Sequence, residues 1–231
     1  MEAAFVLHTR PWRETSLLVE LFTAEHGRIG VVARGARRGR RGGSTPLRPF
    51  VALRCLWRGR GELRTLGAVE PERPFALVGD ALFAGLYLNE LLVRLLQRED
   101  AHPELFLAYA RAVAALAGPA PSLEPVLRRF EFGLLEELGY GFPLELDAAG
   151  RPVRADAHYR FEAEAGLVPV EGVAEEGAAP RSFPGAALLA LAAGDFDDPL
   201  TRRVAKRLAR EALAPHLGAR PLHARALFSG R

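Results

Sequence analysis

Apolar positions follow two patterns along the 231-residue chain. Up to about residue 70 they come as short runs of Val, Leu, Ile and Phe between turn residues; beyond Pro71 and Pro74 they recur at helical spacing. The first pattern predicts five strands. Residues 3–9 (AAFVLHT) end at a break, Arg10-Pro11-Trp12, and residues 16–23 (SLLVELFT) follow. A tight turn at 24–27 leads to residues 28–34 (RIGVVAR), then come 50–57 (FVALRCLW), a turn at 58–61, and 62–69 (ELRTLGAV). So many short strands predict a small antiparallel barrel or sandwich. A five-stranded barrel of the OB-fold kind is the economical choice, because closure removes exposed edges.

The second pattern predicts an α-helical domain, giving an α+β chain with domains at 1–72 and 73–231. Residues 79–98 are apolar around most of the circumference, as in a buried central helix, with Asp80 as its N-cap. Pro103 opens a second helix to about Ala117, and Ser122 with Pro125 starts a third, LEPVLRRFEFGLLEEL, closed by Gly139. Its core face is Leu127, Phe130, Leu134, Leu135 and Leu138. Arg128 and Arg129 flank Phe130, to be solvated or paired with Glu124 or Glu131 by helix spacing. Residues 140–183 form an acidic, glycine-rich insertion with one hairpin, Tyr159–Glu162 against Leu167–Val170. A short helix at 184–193 precedes a final one, with Asp198 as N-cap and Pro199 at N1.

Net charge is only +3, yet residues 1–70 carry 13 basic and 6 acidic side chains and residues 199–231 carry 8 and 1. Two cationic ends around an acidic middle point to a polyanion, because clustered charge sets the local field. The first cluster centres on VVARGARRGRRGGSTPLRPF (31–50), where Arg34, Arg37, Arg38, Arg40 and Arg41 alternate with glycines and Arg48 follows. It reads as a phosphate-gripping loop between strands or as a solvated charge run. Trp12, Phe50 and Trp57 lie nearby; bases could stack on them at roughly 1–3 kcal/mol each, or they fill the barrel core. In the second cluster Arg202, Arg203, Lys206, Arg207 and Arg210 fall within about 140° of helical arc, opposite Leu200, Val204, Ala205, Leu208 and Ala212. That makes a positive rail.

Reactive chemistry is absent from the pattern. Cys55 is the single cysteine, which excludes a disulfide framework and a cysteine zinc site, and it reads as a core thiol. The histidines lack ligand spacing, Asp195, Asp197 and Asp198 read as turn and cap residues, and no Gly-Lys-Ser/Thr phosphate loop exists. No stretch can span a bilayer and no secretory signal is evident, so the expectation is a cytoplasmic, nucleoid-associated binding protein without cofactor, metal or catalytic residues.

The opening AFVLHTRPWRETSLLVELFTAEHGRIGVVARGARRG resembles the RecO family of DNA repair and recombination mediators. The resemblance continues through LYLNELLVRLL (86–96), LRRFEFGLLEELGYG (127–141) and RRVAKRLAREALAPHLGARPLHARALF (202–228). It implies an OB-fold barrel, a helical domain with a small insertion, and binding of single- and double-stranded DNA with annealing of complementary strands. It also implies work with RecR to load RecA onto strands coated with single-strand DNA-binding protein. Many family members carry a four-cysteine zinc site in the insertion; residues 140–183 here lack the cysteines and resemble the zinc-free branch. The family's helical domain binds the acidic C-terminal tail of single-strand DNA-binding protein, and the arginine with this role aligns with Arg128, Arg129 being the alternative. An RNA-binding or ribosome-associated barrel is the rival reading. A metal-dependent nuclease is a weaker one.

Overall fold

The computed structural model describes residues 1–37, 46–120, 122–170, 182–218 and 220–224. Five strands, β1 (Glu2–Trp12), β2 (Ser16–Thr23), β3 (Gly27–Ala33), β4 (Val51–Arg58) and β5 (Leu63–Pro74), close into a barrel in the order β1-β2-β3-β5-β4. All neighbours are antiparallel except β3 and β5, whose parallel pairing closes the sheet through Gly30↔Leu63, Val31↔Arg64 and Val32↔Thr65. This is the OB-fold arrangement. Alternate residues of the strands fill its interior, among them Ala4, Val6, Val19, Leu21, Ile29, Val31, Leu53 and Cys55.

β1 and β2 read as almost continuous apolar runs because both their faces are covered. Phe5 and Phe22 point away from the interior onto Phe106 and Tyr109 of the second helix, with ring centroids 5.1–6.1 Å apart. Helices α1 (Gly79–Leu95) and α2 (Pro103–Leu116) supply that cover. Asp80 does not cap α1: Val78 occupies the N-cap without a side-chain bond. Asp80 lies in the first turn, where its charge complements the helix dipole. β1 also runs through Pro11 to Trp12, which pairs with Ser16, so the expected break falls at the hairpin tip instead, where Arg13 takes φ 51°.

By contact the chain divides into two units, Met1–Leu123 with Arg220–Arg231, and Glu124–Ala219. In the first, Arg94 donates to the carbonyls of Arg220 and Pro221, while the Glu90 carboxylate accepts from the His223 and Ala224 amides. The returning chain is thus clasped to α1. The second unit holds α3 (Leu123–Glu137) from Glu124 on, and the hairpin β6 (His158–Glu162) and β7 (Gly166–Pro169). β8 (Phe183–Pro184), α4 (Gly185–Ala192) and α5 (Pro199–Leu217) complete it. The hairpin pairs Phe161 with Leu167 and Glu162 with Gly166, and β8 adds to the other edge of β6. Val153, Tyr159, Leu167, Phe183, Leu188, Leu191 and Leu208 share one apolar core.

Candidate nucleic-acid and partner interfaces

The barrel's cationic segment leaves β3 at Arg34. Arg34 is exposed, and Gly35 takes φ 70°, a conformation that glycine adopts without steric cost. Arg37 anchors the base of the segment: its amide donates to Thr15 O at 3.0 Å, and its guanidinium donates to the carbonyls of Arg13 and Glu14 at 3.1 and 3.2 Å. Arg38, Arg40 and Arg41 lie outside the described residues. Arg48 is exposed on the far side of the segment, and Arg10, Arg54, Arg58 and Arg60 are exposed on the barrel itself.

Two other barrel arginines have structural work. Arg28 donates to the Val93 carbonyl, and burial lowers its pKa from the ordinary arginine value. Arg64 pairs with Glu99 at 2.9 Å, and Arg98 pairs with Glu20. These ion pairs draw the segment after α1 across the barrel so closely that a side chain at Gly27 would meet Asp100 O.

The aromatic residues divide as well. Phe50 is buried at φ 63°, and Gly85 of α1 lacks the Cβ that would otherwise collide with its ring. It is therefore neither a stacking platform nor part of the barrel interior. Trp57 is half-buried against the interior cluster, and its ring meets His26 edge-on at 5.5 Å. Trp12 is half-buried at the end of β1. Burial, with the Glu2 carboxylate adding to it, pushes the Cys55 thiol up to about 11, as a core thiol should behave.

The α5 rail is partly consumed inside its own unit. Asp198 accepts from Thr201 N at 2.9 Å as N-cap, and the Thr201 and Leu200 amides hold its carboxyl below the usual carboxylate range. Arg202 donates to the carbonyls of Phe196 and Asp197. Arg207 lies 3.9 Å from the Phe183 ring centroid and donates to Ser182 O. Lys206 bonds Glu124 Oε1 at 2.9 Å. Arg203 and Arg210 stand exposed.

On α3 the two arginines have opposite environments. Arg128 is 4% exposed and held by Glu131, at 2.9 Å from Nη2 to Oε1 and 2.8 Å from Nε to Oε2. Helix spacing identified its partners but not its depth. Arg129 is exposed; it donates to Gly194 O at 3.3 Å and lies over the Phe196 ring at 5.6 Å. It borders a cavity of about 750 Å³ whose walls include Phe132, Phe142, Leu191 and Phe196, with Glu136 and Glu145 at its edge. A cation beside an apolar hollow suits an apolar peptide that ends in a carboxylate.

The insertion does not fit a four-thiolate zinc site. Its loop is closed instead by the buried Asp147 carboxylate, which accepts from the Ala149 and Arg151 amides and Arg151 Nε, each at 2.9 Å. Tyr159 Oη accepts from Arg154 N at 2.8 Å, and a side chain on Gly185 would collide with Arg154 O. Sequence spacing also missed a group at one end of the barrel. Glu2 accepts from the Glu25 and His26 amides and pairs with His26 Nδ1 at 2.7 Å beside a cavity of about 430 Å³. Local spacing could not find it, because Glu2 lies more than twenty residues from the turn it caps.

An OB-fold barrel bearing exposed arginines, followed along the chain by helices and a small sheet, is an architecture used by oligonucleotide-binding proteins among others. Residues 1–75 match the family model for the recombination protein O N terminal domain, and residues 77–226 that for its C terminal domain. The chain belongs to the RecO family. It is 52% identical over 231 residues to the DNA repair protein RecO of Pseudomonas paraeruginosa, covering 100% of this chain and 95% of that protein. The protein of the same name from Stutzerimonas stutzeri is 52% identical over 228 residues, covering 98% and 92%, and that from Pseudomonas putida is 50% identical over 231, covering 100% and 97%.

Proposed function

We propose that this chain is a DNA-repair mediator that binds single- and double-stranded DNA and anneals complementary strands. With RecR it promotes loading of RecA onto strands coated with single-strand DNA-binding protein. The observation that carries the reading is the closed barrel with Arg10, Arg34, Arg48, Arg54, Arg58 and Arg60 exposed on it, in a chain of this family. Annealing by such a protein needs no reacting group: cations that neutralise phosphates on two strands reduce their repulsion and let base pairing proceed. The proposed DNA contacts are Arg34, Arg37, Arg38, Arg40, Arg41 and Arg48 on the barrel, and Arg202, Arg203, Lys206, Arg207 and Arg210 on α5.

Partner choice is assigned to α3. Arg128, with Arg129 as alternative, would receive the acidic tail of single-strand DNA-binding protein. Arg129 already opens on the 750 Å³ hollow, whereas Arg128 is covered. The test is annealing of complementary strands coated with single-strand DNA-binding protein, either intact or lacking its tail, without nucleotide. The expected result is rapid annealing of strands coated with the intact protein, slowed when the tail is missing. No acceleration of naked or coated strands would overturn the mediator reading, and stronger binding of RNA than of DNA of one sequence would favour an RNA-directed role.

A further inference from the structure

Arg128 of α3 and Lys206 of α5 converge on one carboxylate, that of Glu124. Glu124 Oε1 lies 2.9 Å from Lys206 Nζ, and Oε2 lies 3.8 Å from Arg128 Nη1. The second contact is too long for a hydrogen bond, and both of its atoms are buried without a hydrogen-bond partner among the described residues. Glu131 limits how the guanidinium can turn, accepting from Nη2 at 2.9 Å with its Oε2 2.8 Å from Nε. A buried N–H of a charged group left in this state is costly, so an oxygen placed closer to Nη1 would be favoured over Glu124 Oε2. Glu124 is a poor occupant because α3 tethers it four residues before Arg128. Its side chain is 32% exposed and that of Lys206 is 43% exposed, so both border solvent, while the Oε2–Nη1 contact beneath them is buried.

We propose that Arg128 and Lys206 form a single two-cation site for the terminal carboxylate of the tail peptide, and that Glu124 is the protein's own occupant, displaced when the peptide binds. The inference rests on the assignment of Arg128 to that peptide. An untethered carboxylate keeps the Lys206 contact that Glu124 now makes and approaches Nη1 within hydrogen-bonding distance, which Glu124 does not. It replaces one negative charge by another, so no cation is left uncompensated. Arg128 is 4% exposed, so the continuous backbone of a DNA strand does not reach it as the protein stands. The closed state weakens the peptide by the work of moving Glu124 aside.

The test uses the full chain and a fluorescent decapeptide of acidic and apolar residues ending in a free carboxylate, with thermal melts to confirm folding. Glu124→Gln should bind it about fivefold more tightly, because a partly exposed ion pair no longer competes. Lys206→Ala should bind it about tenfold more weakly, and Lys206→Arg should restore binding. If Arg128→Ala weakens the peptide while Glu124→Gln and Lys206→Ala leave it unchanged, the gate and the shared site are wrong. If Lys206→Ala instead lowers DNA affinity and flattens its salt slope by about 0.7, Lys206 belongs to the phosphates. Unchanged peptide affinity in Arg128→Ala would overturn the underlying assignment.

Discussion

Single residues decide where the first unit can bend. The register of β1 against β2 slips between Val6 and His8, leaving Leu7 as a bulge whose carbonyl has no place in that ladder. Asn89 of α1 donates to this carbonyl at 2.9 Å, and Tyr109 of α2 donates its hydroxyl to Asn89 Oδ1 at 2.6 Å. One buried amide therefore ties the barrel to two helices, and burial raises the Tyr109 pKa far above the ordinary phenol value. Tyr109→Phe keeps the ring against Phe5 but removes the donor to Asn89 Oδ1. Urea unfolding should show a loss of about 1–3 kcal/mol, and Asn89→Leu should also cost stability by stranding the Leu7 carbonyl. A Tyr109→Phe variant as stable as the parent would show that this network does not hold the bulge. Gly27→Ala should be harmful for another reason: the added Cβ would sit 1.7 Å from Asp100 O at φ 62°.

At the scale of elements, legibility followed the range of the interactions. Strands β2 to β4, helices α1 to α3 and α5 stand within a few residues of their apolar runs, because alternation, helical spacing and the Asp198-Pro199 start are local signals, whereas β5 runs past its expected end at residue 69, through Pro71 to Pro74, by pairing with β4. β8 was not legible: its two residues gain strand geometry only by pairing with His158 and Tyr159, some 25 residues earlier. The depth of Arg128 was not legible either, since i,i+3 and i,i+4 acids name partners without saying which helix covers them. The Asp147 loop shows what side chains do when a turn must be pinned without thiolates. Amide hydrogen bonds, led by that of Arg151, hold its carboxyl below the usual range. Because the folded-state value is depressed, this contribution to stability is complete above the unfolded value of about 3.9 and is lost as pH falls through the folded one. The amide resonances of Ala149 and Arg151 should therefore shift together with a midpoint below about 3.9, and Asp147→Asn should abolish that step. A midpoint at or above the ordinary aspartate value would contradict the hydrogen-bond assignment.

For the whole molecule, the question is how many of its cations are available to phosphate. A formal count treats the barrel loop and the rail alike, but the contacts within each unit do not. On α5, Arg202, Lys206 and Arg207 are engaged with carbonyls, a carboxylate or a ring, whereas Arg203 and Arg210 are exposed. Arg37 is engaged with the Arg13 and Glu14 carbonyls yet still exposed, and Arg34 and Arg48 are exposed on either side of it. If the barrel segment is the main grip on DNA, its replacement should act on affinity mostly through counterion release. Single-stranded DNA gives a slope of about −0.7 in log affinity against log salt for each phosphate neutralised. Replacing Arg37, Arg38, Arg40 and Arg41 by Ala should flatten that slope by about 2–3, and replacing Arg203 and Arg210 by about 1. The two sets lie in separate units, so their effects on log affinity should add when combined. The measurement is equilibrium binding of a fluorescent oligonucleotide across a salt series. Slopes unchanged in the first variant would remove the segment from the interface, and a larger change in the second would move the principal DNA contact to α5.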